Sequence, residues 1–386
     1  RAVVSADGAV LINLRRINDV SIDAGTSSAV VGGGSQWQDV VDAAAEVGLA
    51  PLAGSSPNVG VVGYTLGGGV SPTLGRAHGF AADWVQWVEI VTPDGQLRRV
   101  DRDNEPELFW AVRGGKGNFG VVTRMRFQMV PTPPLFGGGL YFAAEHVGPV
   151  LAAFQDVVAH APDGLSISFA FLRLPDAPFV PEFLRGRFTL HVRVAYLGSA
   201  AEGEKLIAPL RAAAPPMVDT VAEMPFAAIA GIHADPVDPL PAYERGTFLR
   251  ELPTAAIEAL VNAAGPETGT PLVMVEVRHL GGALARPPST PSAVLRRDAS
   301  FQLFVAAVGD PGMDEAFRPE IQSVLDAMRP WSAEGSQINF LTAYDTNPEG
   351  VRAAYGPDVF DRLARIKHRY DQGNMFRINH NIAPAN

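Results

Sequence analysis

Cysteine is absent from the 386 residues. That removes disulfides, thiolate metal sites and cysteine nucleophiles together. It leaves the compartment open between cytoplasm and secretion, with the cytoplasm the preferred reading. No window of 18 residues stays apolar without a charge or a turn residue, so no membrane span is expected. Positive charge is short: 31 Lys and Arg face 41 Asp and Glu, a formal net charge of −10. That balance argues against a nucleic-acid partner. The P-loop pattern G-x-x-x-x-G-K-[ST] is missing. G-x-G-x-x-G occurs once, from Gly115 to Gly120, but it runs into a predicted strand instead of opening a helix. Neither standard mode of nucleotide binding is therefore expected. The eight His are scattered away from carboxylates at ligand spacing, so no metal site is expected. No internal repeat is visible.

What is present is a core-forming composition, 47% hydrophobic and 19% charged. It suits a globular chain of two to three domains. The chain starts Arg1-Ala-Val-Val-Ser5, without an initiating Met or a signal-peptide pattern. The expectation is a start inside a domain, with an upstream segment outside this sequence.

One stretch stands apart. Ala53 to Asp83 holds eight glycines and one acid in 31 residues. Glycine serves where φ must be positive or another surface must come close. Interleaved Val, Tyr, Leu and Thr can pack beside such a backbone. The combination suits a large flat ligand with a phosphate tail, although a lone Gly67-Gly68-Gly69 is weak evidence of it.

Around this stretch the pattern alternates between elements. Ala9–Leu14, Asp19–Asp23 and Ser28–Gly32 read as strands. Trp37 to Val47 has apolar residues at helical spacing, with Gly48 as its C-cap. Val85–Thr92 and Gln96–Val100 flank the turn Pro93-Asp94-Gly95. Pro106 opens a short helix whose acids suit its N-terminus. A second glycine cluster, Arg113 to Gly120, leads into a strand from Val121 to Met129. Pro131-Thr132-Pro133-Pro134 marks a domain boundary. Beyond it Ser166–Leu172, Arg187–Tyr196, Leu272–Arg278 and Ser300–Val308 read as strands of an antiparallel sheet, with helices at 149–159, 200–212 and 254–263. Loops rich in Pro, 235–241 and 286–292, project where substrate contacts usually arise. A loop at 345–350, a helix from Pro357 to Tyr370 and a tail dense in Asn close the chain.

Taken in order, these motifs resemble the berberine-bridge-enzyme-like flavin oxidases, of the vanillyl-alcohol-oxidase and PCMH type. They are Ala53 to Gly69, Arg76 to Asp83, Glu107 to Trp110, Arg113 to Val122, Tyr355-Gly356, Arg362-Leu363 and Asn374 to Ile382. The resemblance covers nearly the whole chain. It implies an α+β, two-domain fold: an FAD-binding domain from residues 1–134 plus 341–386, and a substrate-binding domain, 135–340, of antiparallel sheet flanked by helices. It implies FAD as cofactor and hydride transfer from an alcohol, hemiacetal or amine-bearing carbon of a sugar or secondary metabolite, with O2 as electron acceptor. A flavin-free binding protein and a dehydrogenase using another acceptor are the alternatives.

The resemblance also assigns residues. Ser56, in Ser56-Pro57-Asn58-Val59-Gly60, stands where many members carry a cysteine bonded to the flavin, so that bond cannot form here. Val59 matches the position that leaves room for oxygen. Gly60, Val61 and Gly63 match backbone contacts to the cofactor. Tyr64 replaces the usual His of the motif that ends at Gly69. Val121 and Val122 match residues near the adenosine part, Gly120 before them is a further cofactor-binding residue, and Asn374, Asn379 and Asn381 lie in the segment that closes on the flavin. A pyrophosphate loop whose His bonds the flavin is implied just upstream of Arg1. Where plant members carry a Tyr base, this chain has Phe340, which cannot take a proton. His279, at a strand end, is then the leading candidate base, with Tyr344 next and Arg297 as an orienting cation. His380 replaces the family's Gln. The plainer readings are a structural His, a loop Tyr and a solvated charge.

Overall fold

The computed structural model describes residues 8–385, apart from Pro239, Pro311, Glu334 and the side chain of Tyr344. The described residues form two main sheets. The first has five strands in the order Val20–Asp23, Ser28–Gly32, Val121–Gln128, Val85–Val91 and Leu97–Asp101. All its pairings are antiparallel. Its core joins Val31, Val88, Ile90 and Met125 to the helix Trp37–Ala45 through Trp37, Val40, Val41 and Ala44. The helices Pro106–Gly115 and Pro357–Tyr370 bring Phe109, Trp110 and Leu363 into the same cluster.

The second sheet has nine strands. Its centre runs Phe136–Phe142, Phe188–Tyr196, Leu165–Arg173, Met274–His279, Phe301–Val308 and Ala242–Leu249, again antiparallel. Side chains alternate across a sheet with period two. One face presents Val192, Val194, Ile167, Phe169, Val275, Val277, Leu303 and Val305 to the helices Val147–Ala159, Ala200–Ala213, Thr254–Ala264 and Asp314–Ala327. The opposite face carries Ser166, Ser168, His191, Arg193, Glu276 and Gln302, all buried as well. Polar residues buried on the inner side of a sheet need partners, and they define the candidate site.

The sequence expectations meet four corrections here. Ala9–Leu14 forms no strand, and Val10 and Leu11 are 86% and 91% exposed. An alternating run becomes a strand only beside a pairing edge, and residues 14–18 lie instead against the Gly32–Gly34 turn. The glycine-rich stretch contains a short helix, Val61–Leu66, because Val61, Val62, Thr65 and Leu66 share a buried side. The expected loop at 345–350 gives way to a helix, Pro348–Tyr355, capped by Asn347 accepting the Gly350 N–H at 2.7 Å. Ala242–Leu249 and Asp314–Ala327 were not anticipated: Glu, Arg and Gly break the strand's apolar pattern, and Pro319 interrupts the helix.

Candidate active site

The strand register builds the site. Arg193 stands opposite Ser168, Ser168 opposite Arg278, and Arg278 opposite Gln302. One step along, His191, Ala170, Glu276 and Phe304 form the neighbouring row. Glu276 thus lies one position from two arginines on the same face. Its Oε1 is 2.9 Å from Nη1 of Arg193, and its Oε2 is 3.2 Å from Nη2 of Arg278. Ser168 donates to Oε1 at 2.8 Å. Burial alone would raise the Glu276 carboxyl, but the Arg278 and Arg193 guanidiniums outweigh it and hold the group well below its usual range.

Two imidazoles face this carboxylate's surroundings. His191 stacks on Tyr141 with ring centroids 4.0 Å apart, and its Nδ1 accepts from Arg193 Nε at 3.3 Å. His233 ends the short helix Ala230–His233 and brings Nε2 to 3.8 Å from Glu276 Oε1. Neither ring nitrogen of His233 has a hydrogen-bond partner. Burial first, then the arginine charges, push both imidazoles below their usual range, so both are neutral.

His279 is placed differently from the role expected of it. Its Nε2 lies 3.2 Å from Arg76 Nη1. An arginine only donates, so Nε2 accepts and the proton sits on Nδ1. Burial and the Arg76 charge bring the imidazole down to about 3. Its lone pair is taken, which leaves it a structural partner of Arg76 and not a free base. Arg76 also donates to the carbonyls of Leu165 at 2.7 Å, of Ala161 and Pro162 at 3.3 Å, and of Leu280. One guanidinium therefore ties the segment after the glycine run to two strands of the large sheet. Arg297 is likewise engaged: it holds Asp83 at 2.6 and 3.0 Å and lies over the Phe80 ring. Its charge is neutralised within the fold, which removes it as a free orienting cation. Tyr344 falls in the turn Ala343–Asp345, and its side chain lies outside the described residues.

The glycine-rich segment meets the large sheet at Thr73 and Arg76, and holds Tyr64 within reach of the Arg278 charge. The Tyr64 ring packs edge-on to Trp37, with centroids 5.3 Å apart. A Cβ at Gly69 would come within 2.6 Å of this ring, and one at Gly54 within 3.0 Å. Gly69, with φ of +69°, is thus required on two counts. The Tyr64 hydroxyl is buried without a partner. Burial pushes its pKa up, and the Arg278 charge acts in the opposite direction. The preceding residues are pinned from both sides. The carbonyls of Val59 and Pro57 accept the N–H groups of Trp37 and Gln38, at 3.1 and 3.0 Å. Ser55 donates to Asp235 at 2.5 Å, and Asn58 to the Val237 carbonyl at 3.0 Å. Ser56 and Pro57 are half-buried, and Val59, Gly60 and Gly63 are exposed beside the buried Val61.

The C-terminal return is held against the second glycine cluster. Lys367 donates to the carbonyls of Asn118 and Phe376 at 2.9 and 2.7 Å. His380 Nε2 lies 2.9 Å from the Thr342 carbonyl. Asn374 and Asn379 have φ of +50° and +73°, a conformation Asn tolerates. Gly120, φ +155°, opens the strand of Val121 and the buried Val122. The side-chain oxygens of Asn374 and Asn381 are buried without hydrogen-bond partners. These orphaned acceptors, with the side-chain-free surface at Gly60 and Gly63, fit a large ligand bearing N–H groups, as FAD does.

Sequence reasoning missed Glu276, Arg193, Arg278 and His233. A signal existed for two of them: Glu276 and Arg278 are two apart in an otherwise apolar strand, and so share a face. Among the described residues there is no cluster of His and carboxylates able to hold a metal ion, and no helix long and apolar enough to cross a membrane.

Comparison with known proteins bears on the fold and the cofactor. Residues 1–101 match the family described as FAD binding domain, and residues 340–383 the family described as berberine and berberine like. The chain is 29% identical over 396 residues to (R)-6-hydroxynicotine oxidase of Paenarthrobacter nicotinovorans, covering 98% of this chain and 82% of that one. Its fold is similar to the crystal structure of 6-hydroxy-D-nicotine oxidase from Arthrobacter nicotinovorans, with a TM-score of 0.83, 27% identity, and coverage of 99% and 84%. A berberine bridge enzyme structure with (S)-reticuline bound shares the fold at a TM-score of 0.81 and 21% identity, with coverage of 97% and 80%. The α+β, PCMH-type fold holds across these structures. The chain thus carries a family-model FAD-binding domain and a berberine-like domain and is similar to FAD-linked oxidoreductases; it is an FAD-dependent oxidoreductase, with FAD as its cofactor.

Proposed function

We propose that this protein is an oxidase that takes hydride from a hydroxyl- or amine-bearing carbon of a small molecule and passes the electrons to O2. The observation that carries the reading is an orphaned, buried Tyr64 hydroxyl within reach of the Arg278 charge, with Arg278 itself paired to the buried Glu276 that His233 faces. When bound, FAD supplies the hydride acceptor. In this reading residues 1–134 and 341–386 hold the cofactor and 135–340 cover the substrate. The cofactor contacts are Ser56, Pro57, Val59, Gly60, Val61, Gly63, Tyr64, Gly69, Gly120, Val121, Val122, Asn374, Asn379 and Asn381.

Loss of hydride from an alcohol also releases the hydroxyl proton. Glu276 is a weak acceptor for it, because two arginines stabilise its ionised form. His279 has no free lone pair. His233 has one; burial and the Arg193 charge lower its basicity, while Glu276, 3.8 Å away, acts in the opposite direction. We therefore assign proton acceptance to His233 and orientation of the substrate oxygen to the Tyr64 hydroxyl. The 29% identity to a nicotine oxidase supports amines within the substrate range. The fold alone does not choose among substrates.

The test is a screen of alcohols, sugars and cyclic amines on the FAD-loaded protein, reading bleaching of the flavin band without oxygen and H2O2 on readmitting air. Bleaching followed by rapid recovery and H2O2 is expected. Bleaching that recovers only with a dye or quinone would replace O2 with another acceptor. No bleaching by any class, in protein shown to bind FAD, would sink the substrate assignment.

A further inference from the structure

Between the polar sheet face and the segment Val70–Arg76 lies a small cavity, about 10 Å³, the size that holds one water-sized group. It is lined by Arg76, Arg193 and Arg278, with Ser166, His233 and His279 between them. Among its described lining residues there are three cations and no carboxylate. Buried charges are normally paired one for one. Here Glu276, just outside the lining, serves Arg193 and Arg278 together. Asp235 is turned to Ser55. Arg76 contacts backbone carbonyls and the neutral His279, and burial brings its guanidinium down to about 10. Arg76 and Arg193 are each 4% exposed, so water does little to offset the excess positive charge. His233, 7% exposed and lining the same space, has an N–H with nothing to accept it.

We propose that this cavity binds one small monovalent anion, either a free ion such as chloride or formate, or the carboxylate tip of a substrate. The chemistry common to both is a single negative charge on a group one or two atoms across. Arg278 Nε–H and the His233 N–H, both buried without a hydrogen-bond partner, are the donors on offer, and Arg76 and Arg193 add positive charge. A larger or dianionic group exceeds the volume. A cation would meet three positive charges. The inference stands on charge and volume, independent of the oxidase reading.

The first experiment measures thermal unfolding of the full protein against sodium chloride, sodium bromide and sodium formate, with choline chloride to separate anion from cation effects. A saturable rise of roughly 2–5 °C below about 100 mM is expected, equal for sodium and choline salts. Ser166→Val fills the cavity with methyl groups and should abolish the saturable part, leaving only a shallow linear salt response. Should that variant fail to fold, crystals of the unaltered protein soaked in bromide give the direct answer: an anomalous peak between Arg76, Arg193 and Arg278. A linear, salt-general response identical in both proteins, or bromide crystals without that peak, overturns the proposal. The source is then separated on FAD-loaded protein. Benzoate that perturbs the flavin spectrum and is displaced by chloride identifies a substrate carboxylate. Benzoate without effect, while chloride still stabilises, identifies a free anion. A failed substrate screen beside a saturable chloride effect would remove the oxidase reading and leave this site standing.

Discussion

Asn118 holds Ile382 with one end of its carboxamide and His380 with the other. Its Oδ1 accepts the Ile382 N–H at 2.9 Å, and its Nδ2 donates to the His380 carbonyl at 3.1 Å. Nδ2 also reaches the Gly115 carbonyl at 3.0 Å, and the Asn118 carbonyl itself takes Lys367 Nζ. Asn118 is 7% exposed, so each partner it loses is left without water. Asn118→Ala should destabilise the protein by about 2–3 kcal/mol, since a buried unsatisfied amide costs about 1–3 kcal/mol. Urea unfolding checks this. Asn118→Asp keeps the acceptor, loses the donor and adds a buried charge, and should lose at least as much. FAD affinity should fall in both, because the tail that carries Asn374, Asn379 and Asn381 is released. An Asn118→Ala midpoint equal to that of the parent would refute the clamp.

Arg76 makes a second prediction, about geometry more than charge. Its fork reaches the backbone carbonyls of Leu165 and Leu280 at one shared end of the antiparallel strands Leu165–Arg173 and Met274–His279. Lysine keeps the charge but cannot span those acceptors at once. Arg76→Lys should therefore destabilise by roughly 2–4 kcal/mol, close to the effect of Arg76→Met. Arg76→Lys should also release His279 Nε2, which NMR of the histidine ring nitrogens would report as a changed tautomer. An unaltered tautomer would show that Arg76 does not set it.

How much of this was legible in the sequence depends on the range of each interaction. The runs RFTLHVRVAY and SFQLFVAAV showed their strands, because alternation is local. The glycine motifs showed the cofactor side, because close backbone approach demands Gly at fixed places. The ion pair of Glu276 and Arg193 was not legible: it needs the register of three strands, which no local pattern states. His279 was found at a strand end as expected. Its actual partner sits 203 residues away in the chain, and that contact decides which nitrogen is protonated. His233 lay hidden in a four-residue helix whose position depends on the sheet beneath it.

Acid should weaken the protein in a defined window. The His279 imidazole is held down to about 3 by burial and by Arg76, whereas in the unfolded chain it titrates near 6.5. Below about 6.5 the unfolded state takes a proton that the native state refuses. Stability is therefore full above that pH and falls as pH drops toward about 3, by up to about 1.4 kcal/mol per pH unit for each such histidine. His191 and His233 shift in the same direction and add to the slope. His279→Gln keeps an acceptor for Arg76 and should remove one proton's share of the slope between pH 6 and pH 4. Urea midpoints at those two values decide it. An unchanged slope would mean that His279 is not held neutral.

The pair of Arg297 and Asp83 should behave as a closed unit. The side chains are 15% and 11% exposed and make two short contacts. Removing either leaves a charge in a poorly solvated place, so Arg297→Ala and Asp83→Ala should each destabilise by roughly 2–3 kcal/mol. The double variant should lose less than the sum, with a coupling of about 1–3 kcal/mol. Asp83 also accepts the Phe80 N–H at 3.2 Å, so its single variant should be the worse of the two. Additive losses would restore Arg297 as an independent charge, open to a role in substrate orientation.

Tyr64→Phe separates stability from function. The hydroxyl is buried, has no partner, and lies near Arg278. A buried polar group without a hydrogen bond is a net loss to the fold, about 1–3 kcal/mol by mutational measure. The ring's own packing, between Gly54, Gly69 and Trp37, does not involve the oxygen. Phenylalanine should keep that packing and raise thermal stability of the ligand-free protein by roughly 1–3 °C. If the hydroxyl orients a substrate oxygen, the same change should lower the rate of flavin reduction at least tenfold with little effect on FAD affinity. Groups kept at a cost in stability are those that act on something outside the fold. A variant that gains stability and loses reduction rate would place Tyr64 among them, and a variant that gains stability at an unchanged rate would remove it from the mechanism.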